Sequence, residues 1–395
     1  MKPSKWVWIA WALVALLFFA REVAIIQKYG SEMIGHADAL SEYFVNEAAK
    51  LFYDKGPTAT AFLPQWPGFD HHTNSPKLLE NQIYSHYFPG PEILLYFGYA
   101  VFGKSDTTLQ WFRLVPLLLA LSSVMALSLA MAKWVFPEWK WGQAVVLPWL
   151  LFVPAWGYWT LQIHGQSYAT TTLIWGLVLG LWSSDEKFLN SETPKWPLYL
   201  TGFVLGFLSH YFLLTFCFVL FASPWVAQAF SKNPANGKLA FRISFFIGLG
   251  LVAAFVVHLW QIAVFLESWN EALHEQLYIA FERGANVRRA DPPDIRIRLI
   301  GQYSQHVYSF FNISSLSMLV IGTLASWLHY CSNELRKSKA ISILVAFLAS
   351  YVWVMVMKNH SIDHPHFNPR IFMLLYVTFI AVVASLVSNR LQYRQ

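Results

Sequence analysis

The chain has 395 residues, of which 56% are hydrophobic and only 13% charged. Soluble domains carry about 25% charged residues, so this composition excludes an ordinary water-soluble domain and points to a membrane protein. The formal charge of +6 comes with no basic run and no aromatic-basic RNA motif, which excludes nucleic acid as a partner and leaves loop charge as its reading. Cys217 and Cys331 lie in apolar or membrane-edge segments without CxxC spacing and read as small buried hydrophobes.

The first predicted element is an apolar span over roughly 5–25. The run after Lys5 continues into Arg21 without a small-residue cleavage site, so it reads as a retained span rather than a signal peptide. A long polar segment follows, the first outer loop over 27–109. It contains GHADALSEYFVNEAAKLF, where Leu40, Phe44, Ala48 and Leu51 recur at helical spacing and predict an amphipathic helix. Asp38 stands at its start. Asp is a preferred N-cap; a carboxylate at a membrane surface is equally placed to act as a general base. His36 and Glu42 flank it.

Further along the same loop comes YSHYFPGPEILLYFGYAVFG. Its apolar part ends at Gly103, about a dozen residues after Pro91, whereas a crossing helix needs roughly 20. Ile93, Leu94, Phe97, Val101 and Phe102 form one stripe, as in a helix lying in the membrane interface. Pro89 and Pro91 hold His86 and Glu92 near the helix start. An acid in a first helical turn also simply matches the helix dipole, so Glu92 has a structural reading beside the functional one.

The remaining spans fall at roughly 110–132, 143–162, 168–184, 196–210, 212–229, 243–263, 308–329, 340–357 and 371–389, about ten in all with the first. A second outer loop covers 264–306. With the N-terminus inside, the inner loops carry half of the 28 Lys and Arg, among them Lys133, Lys140, Lys187, Lys195, Lys238, Arg242, Arg336, Lys337 and Lys339. That satisfies the positive-inside rule and puts both termini in the cytoplasm. If 91–103 crossed the bilayer, every later loop would flip and the basic loops would move outside.

This map gathers the histidines. Eleven of the 13 fall on outer loops or outer span ends, with His258 and His329 apart. His164 and Gln166 interrupt two apolar spans, where a plain polar turn is the structural reading. His210 closes another span. The turn KNHSIDHPHFNPR holds Lys358, His360, Asp363, His364, His366 and Arg370. The H-x-x-x-H-x-H spacing with Asp363 is a candidate metal set, although Pro365 opposes helical presentation. Arg370 and Lys358 suit phosphate binding or a snorkelling role at a span end. The segment FERGANVRRADPPDIRIR lacks strong periodicity before Ile295 and reads as a mobile loop over a cleft.

Together these features resemble the GT-C membrane glycosyltransferases. The matching run is HYFPGPEILLYFGYAVFGKSDTTLQWFRLVPLLLALSSVMALSLAMAKWVFP: a His/Pro-rich turn, a short surface helix, a Phe-Gly, and an Arg-Leu pair leading into the next span. It is similar to the polyprenyl-phosphate-sugar-dependent branch with the protein mannosyltransferases and the aminoarabinose transferases. Where that branch has a Thr-Lys pair, this chain has Ser209-His210. Where it has Asp-Glu, this chain has Asp38-Ala39, so a second acid either comes from Glu42 or is absent.

The resemblance implies one all-α polytopic membrane domain over 1–395, GT-C-like, with outer-surface amphipathic helices in the first long loop. It implies transfer of a sugar from a polyprenyl-phosphate donor to a lipid, glycan or protein hydroxyl, at the outer face of the inner or plasma membrane. Asp38 matches the family's catalytic aspartate. Lys358, Arg370 and Arg288 or Arg289 would hold phosphate, and His86, His164, His210 and His364 would shape the sugar and acceptor pocket beside Glu92 and His360. No cofactor is certain; a divalent metal ion is the open candidate. A polytopic transporter is the alternative reading, but it expects mid-span charges and internal repeats, and neither is evident.

Overall fold

The computed structural model describes residues 4–30, 39–68, 73–86, 88–134, 140–151, 161, 163, 195–208 and 234–284. Among these the architecture is helical, with one isolated β-bridge between Gln65 and Ile83 and no strand. Three stretches are long and apolar enough to cross a membrane, 5–29, 106–130 and 245–266, and the chain is an integral membrane protein. The other expected spans lie partly or wholly outside the described residues.

Helix α1 is Lys5–Tyr29 and ends at Gly30, whose φ of +60° suits a residue without Cβ. Its apolar run continues past Arg21 and Glu22. Glu22 is buried, 3.5 Å from the Arg21 guanidinium. Helix α2, Ala39–Lys55, buries Phe44, Val45, Ala48, Ala49 and Phe52. The expected amphipathic helix is there, but Leu51 is only half-buried and Val45, Ala49 and Phe52 take up the face.

After the short α3, Pro76–Glu80, the chain forms α4, Gly90–Phe102. Pro89 precedes it, Pro91 sits in its first turn, and Gly103 ends it at a φ of +84°. Its expected single stripe divides in two. Ile93 is buried with Phe52 and Phe88, while Phe97, Val101 and Phe102 are exposed. The reason is that α4 packs Leu95 and Tyr99 onto Val45 and Ala49 of α2, which leaves only its C-terminal apolar residues outside.

Ser105 caps α5, Asp106–Phe112, accepting the Thr108 amide, as N-cap serines do. Arg113 joins α5 to α6, Leu114–Trp134, and α7 follows at Lys140–Leu151. At one end of this bundle Trp11 donates its indole N–H to the Gln143 carbonyl, 2.9 Å. At the other end Gln110 donates to the Ile26 carbonyl, 3.1 Å.

Helices α8, Lys195–Leu208, and α9, Pro234–Leu266, cross so closely that their glycines meet backbone. A Cβ on Gly202 would lie 2.0 Å from the Ile247 carbonyl oxygen, and one on Gly250 2.1 Å from that of Tyr199. Gly202 and Gly206 form the small-x-x-x-small spacing by which membrane helices pack without large side chains between them. The last described helix is α10, Trp269–Gly284, inside what the sequence marked as the second outer loop.

Candidate functional site

The described residues between 39 and 112 gather where α1 ends, α6 begins and α9 ends. Three sets of contacts hold them there, and each begins with a residue whose chemistry demands a partner.

The first is Arg113, a lone guanidinium at the start of an apolar run. An unpaired charge at that position would be costly, and Arg113 is fully buried. It forms an ion pair with Glu42 in the first turn of α2 and donates to the Leu161 carbonyl at 2.9 Å. One side chain thus links the helix that follows Asp38 to the chain just before His164. Nearby, the Tyr99 hydroxyl donates to the Asn46 side chain. Burial holds the Tyr99 hydroxyl well above the usual phenol range, and the carboxylates of Asp106 and Glu47 act in the same sense.

The second set is a ladder of rings. The backbone pairs Trp66 N–H with the Gln82 carbonyl and Tyr84 N–H with the Pro64 carbonyl, both at 2.9 Å. This pairing lays Trp66 on Tyr84, centroids 3.8 Å apart. Phe44 stacks on the other side of Trp66 at 5.1 Å, and His86 lies 4.3 Å from the Tyr84 ring, tilted by 40°. All four are buried, so the ladder ties α2 to His86 through the protein interior. Glu92, in the first turn of α4, is also fully buried.

The third set converges on Ser85. Its carbonyl oxygen lies 3.0 Å from His258 Nε2 of α9 and accepts from Gln276 Nε2 of α10 at 2.7 Å. A carbonyl only accepts, so the His258 proton on that side is on Nε2. The Ser85 hydroxyl donates to Glu275 Oε1 at 3.2 Å, and the Asn74 N–H donates to Glu275 Oε2 at 3.1 Å. Phe88 packs on Phe207 at 4.8 Å, and Gly90 abuts the Phe207 carbonyl so closely that a Cβ would come to 1.9 Å.

Of the residues singled out from the sequence, the structure describes Glu42, His86 and Glu92. His36, Asp38, His164, His210, Arg288, Arg289, Lys358, His360, Asp363, His364, His366 and Arg370 lie outside the described residues. At the turn leading into α4, Phe88 and Gly90 meet Phe207 of α8, Phe88 also lies 5.9 Å from the His258 ring of α9, and His86 and Glu92 are buried. His258, set apart from the other histidines by its place in an apolar run, contacts the first loop at this same end. Sequence reading passed over Arg113, Glu275 and His258 as site residues. For Arg113 and His258 the signal was a charge or imidazole within an apolar run, which calls for a partner elsewhere in the fold; Glu275, between His274 and Gln276, carries no such signal. Among the described residues no group of three or more His, Cys, Asp or Glu is placed to hold a metal ion.

No family profile matches the sequence, and no curated protein matches it. Among solved structures, the fold is similar to the archaeal oligosaccharyltransferase AglB from Archaeoglobus fulgidus, in complex with an inhibitory peptide and a dolichol-phosphate. The TM-score is 0.56 at 13% identity, covering 99% of this chain and 51% of that one. The chain therefore spans about half the length of that enzyme, and the likeness is one of fold.

Proposed function

We propose that the chain is a membrane glycosyltransferase that moves a sugar from a polyprenyl-phosphate donor to an acceptor hydroxyl on a lipid, glycan or protein. The observation that carries this reading is the fold likeness to AglB, an oligosaccharyltransferase captured with dolichol-phosphate. It is supported by the placement of the first loop, whose α2 follows Asp38 and is tied by Glu42 and Arg113 to the chain just before His164.

In this reading Asp38 is the general base. It takes the proton of the acceptor hydroxyl as that oxygen bonds to the anomeric carbon, and the bond from that carbon to the phosphate oxygen breaks. The leaving polyprenyl phosphate keeps the electron pair, and Lys358, Arg370 and Arg288 or Arg289 stabilise its charge. One displacement with one base gives inversion. The first acid is Asp38, and Glu42 forms an ion pair with Arg113. A divalent metal on His360, Asp363, His364 and His366 would polarise the phosphate, and no step above depends on it.

The test is transfer from a labelled polyprenyl-phosphate sugar in membranes holding wild-type protein or the Asp38→Asn variant. General-base removal is worth about 10²–10⁴ in rate, and a loss of that size at unchanged protein level is expected. Full activity in Asp38→Asn overturns the base. Absence of transfer by wild type from every such donor overturns the donor class.

A further inference from the structure

We propose that α10 is a re-entrant interfacial helix whose apolar face is seated in the lipid leaflet at which α9 ends. The inference is independent of the catalytic reading.

It begins with the turn. Glu267 adopts a φ of +62°, the Ser268 N–H donates to the Ala263 carbonyl at 3.0 Å, and the Ser268 hydroxyl accepts the Glu271 N–H at 3.2 Å. Left-handed backbone followed by a serine cap reverses the chain and starts a new helix at once. The contacts then give the direction of α10. Ala272 sits in one buried cluster with Ile262, Ala263 and Leu266. One turn later Gln276 shares the Ser85 carbonyl with His258. Moving forward from 272 to 276 on α10 therefore means moving back towards 258 on α9. The second half of α10 descends along the flank of a membrane-crossing helix.

At about 100° per residue, α10 divides into three sectors. Ala272, Glu275 and Ile279 are buried against the protein. Glu271 is exposed on another side, while the exposed Asn270 and His274 stand in the first half of the helix, His274 only about 20° round from Phe281 but two turns before it. The third sector carries Trp269, Leu273, Leu277 and Phe281, which are 55%, 46%, 47% and 57% exposed. Two sectors suffice for a helix lying on a soluble core. A third that is apolar, wide and open needs an apolar medium. Lipid is the occupant because α10 runs beside a span whose own Val256, Trp260 and Val264 are open to the outside. Asn270, Glu271 and His274, all in the first half of α10 where α9 ends, then meet the headgroups and water, as polar residues of interfacial helices do.

The experiment uses full-length protein in phosphatidylcholine/phosphatidylglycerol nanodiscs, with Cys217 and Cys331 replaced by serine. Nitroxides are placed one at a time at 271, 273, 274, 277 and 281, and their collisions with oxygen and with a water-soluble nickel chelate are measured. Positions 273, 277 and 281 should be severalfold richer in oxygen than in nickel collisions, with 271 and 274 the reverse. Nickel access at 277 and 281 equal to that at 271 overturns the proposal in favour of water. Shielding from both reagents overturns it in favour of a protein cover. Hydroxyl-radical footprinting of the unsubstituted protein in the same nanodiscs guards against misfolded variants: His274 should be modified, with Leu277 and Phe281 protected. Modification of Leu277 and Phe281 to the same extent as His274 overturns the proposal.

Discussion

Arg113 and Glu42 form an ion pair in which the two residues are only 0% and 3% exposed, between the start of α6 and the start of α2. A buried pair contributes little net stability by itself, yet removing one partner strands the other charge at a cost of about 3–5 kcal/mol. Glu42→Gln and Arg113→Met should each lower the melting temperature of the purified protein sharply. The double variant Glu42→Leu/Arg113→Met should recover much of the loss. A double variant as unstable as the sum of the singles would mean that the two residues act through separate partners.

The crossing of α8 and α9 has no room for a side chain at Gly202 or Gly250. Overpacking a tight contact costs about 1–3 kcal/mol, occasionally more. Gly202→Ala and Gly250→Ala should each reduce the fraction of protein that elutes as a single species, and Gly202→Leu should abolish it. Tolerance of Gly202→Leu with an unchanged melting temperature would contradict the close backbone approach.

Ser85 is held by His258, Gln276 and Glu275 together. Glu275→Ala leaves the buried Ser85 hydroxyl without its acceptor, at about 1–3 kcal/mol, and also releases the Asn74 N–H, which stands at the surface. His258→Leu removes one of two donors from the Ser85 carbonyl and should matter less. Hydrogen exchange over 73–86 measures both: the expected order of acceleration is Glu275→Ala, then His258→Leu, then wild type.

Tyr99 ties stability to alkaline pH. Its folded hydroxyl is raised above the unfolded phenol value of about 10. The folded state therefore holds the proton more tightly, and this contribution is fully present below about pH 10 and lost as pH rises through the higher folded value. Wild type should lose melting temperature on going from pH 9 to 11 more steeply than Tyr99→Phe, which has no such proton. Parallel slopes for the two proteins would place the alkaline loss elsewhere.

Much of the outline was legible because it follows from local chemistry. The apolar runs at 5–29 and 245–266, the stop at Gly103 and the start at Pro89–Pro91 depend on composition and backbone preference alone. The helix after Asp38 was legible from its period, although its buried face came out rotated, since α4 rather than lipid or water covers it. The clamp on Ser85 was not legible. Glu275 stands 190 residues from Ser85 along the chain, and nothing near Ser85 announces a carboxylate.

Arg113 marks the boundary between the two kinds of information. The sequence by itself determined that a guanidinium begins an apolar helix and so requires a partner, because an isolated charge there is too costly to leave. Which carboxylate answers it, and that the same guanidinium also reaches the carbonyl of Leu161, only the tertiary structure decided. Pairing between distant segments depends on how helices pack, and residue order does not encode that as a local signal. The same division holds for α10. The helical spacing of Trp269, Leu273, Leu277 and Phe281 is written in the residues, but the return of α10 along α9 came only from the turn at Glu267 and the shared carbonyl of Ser85.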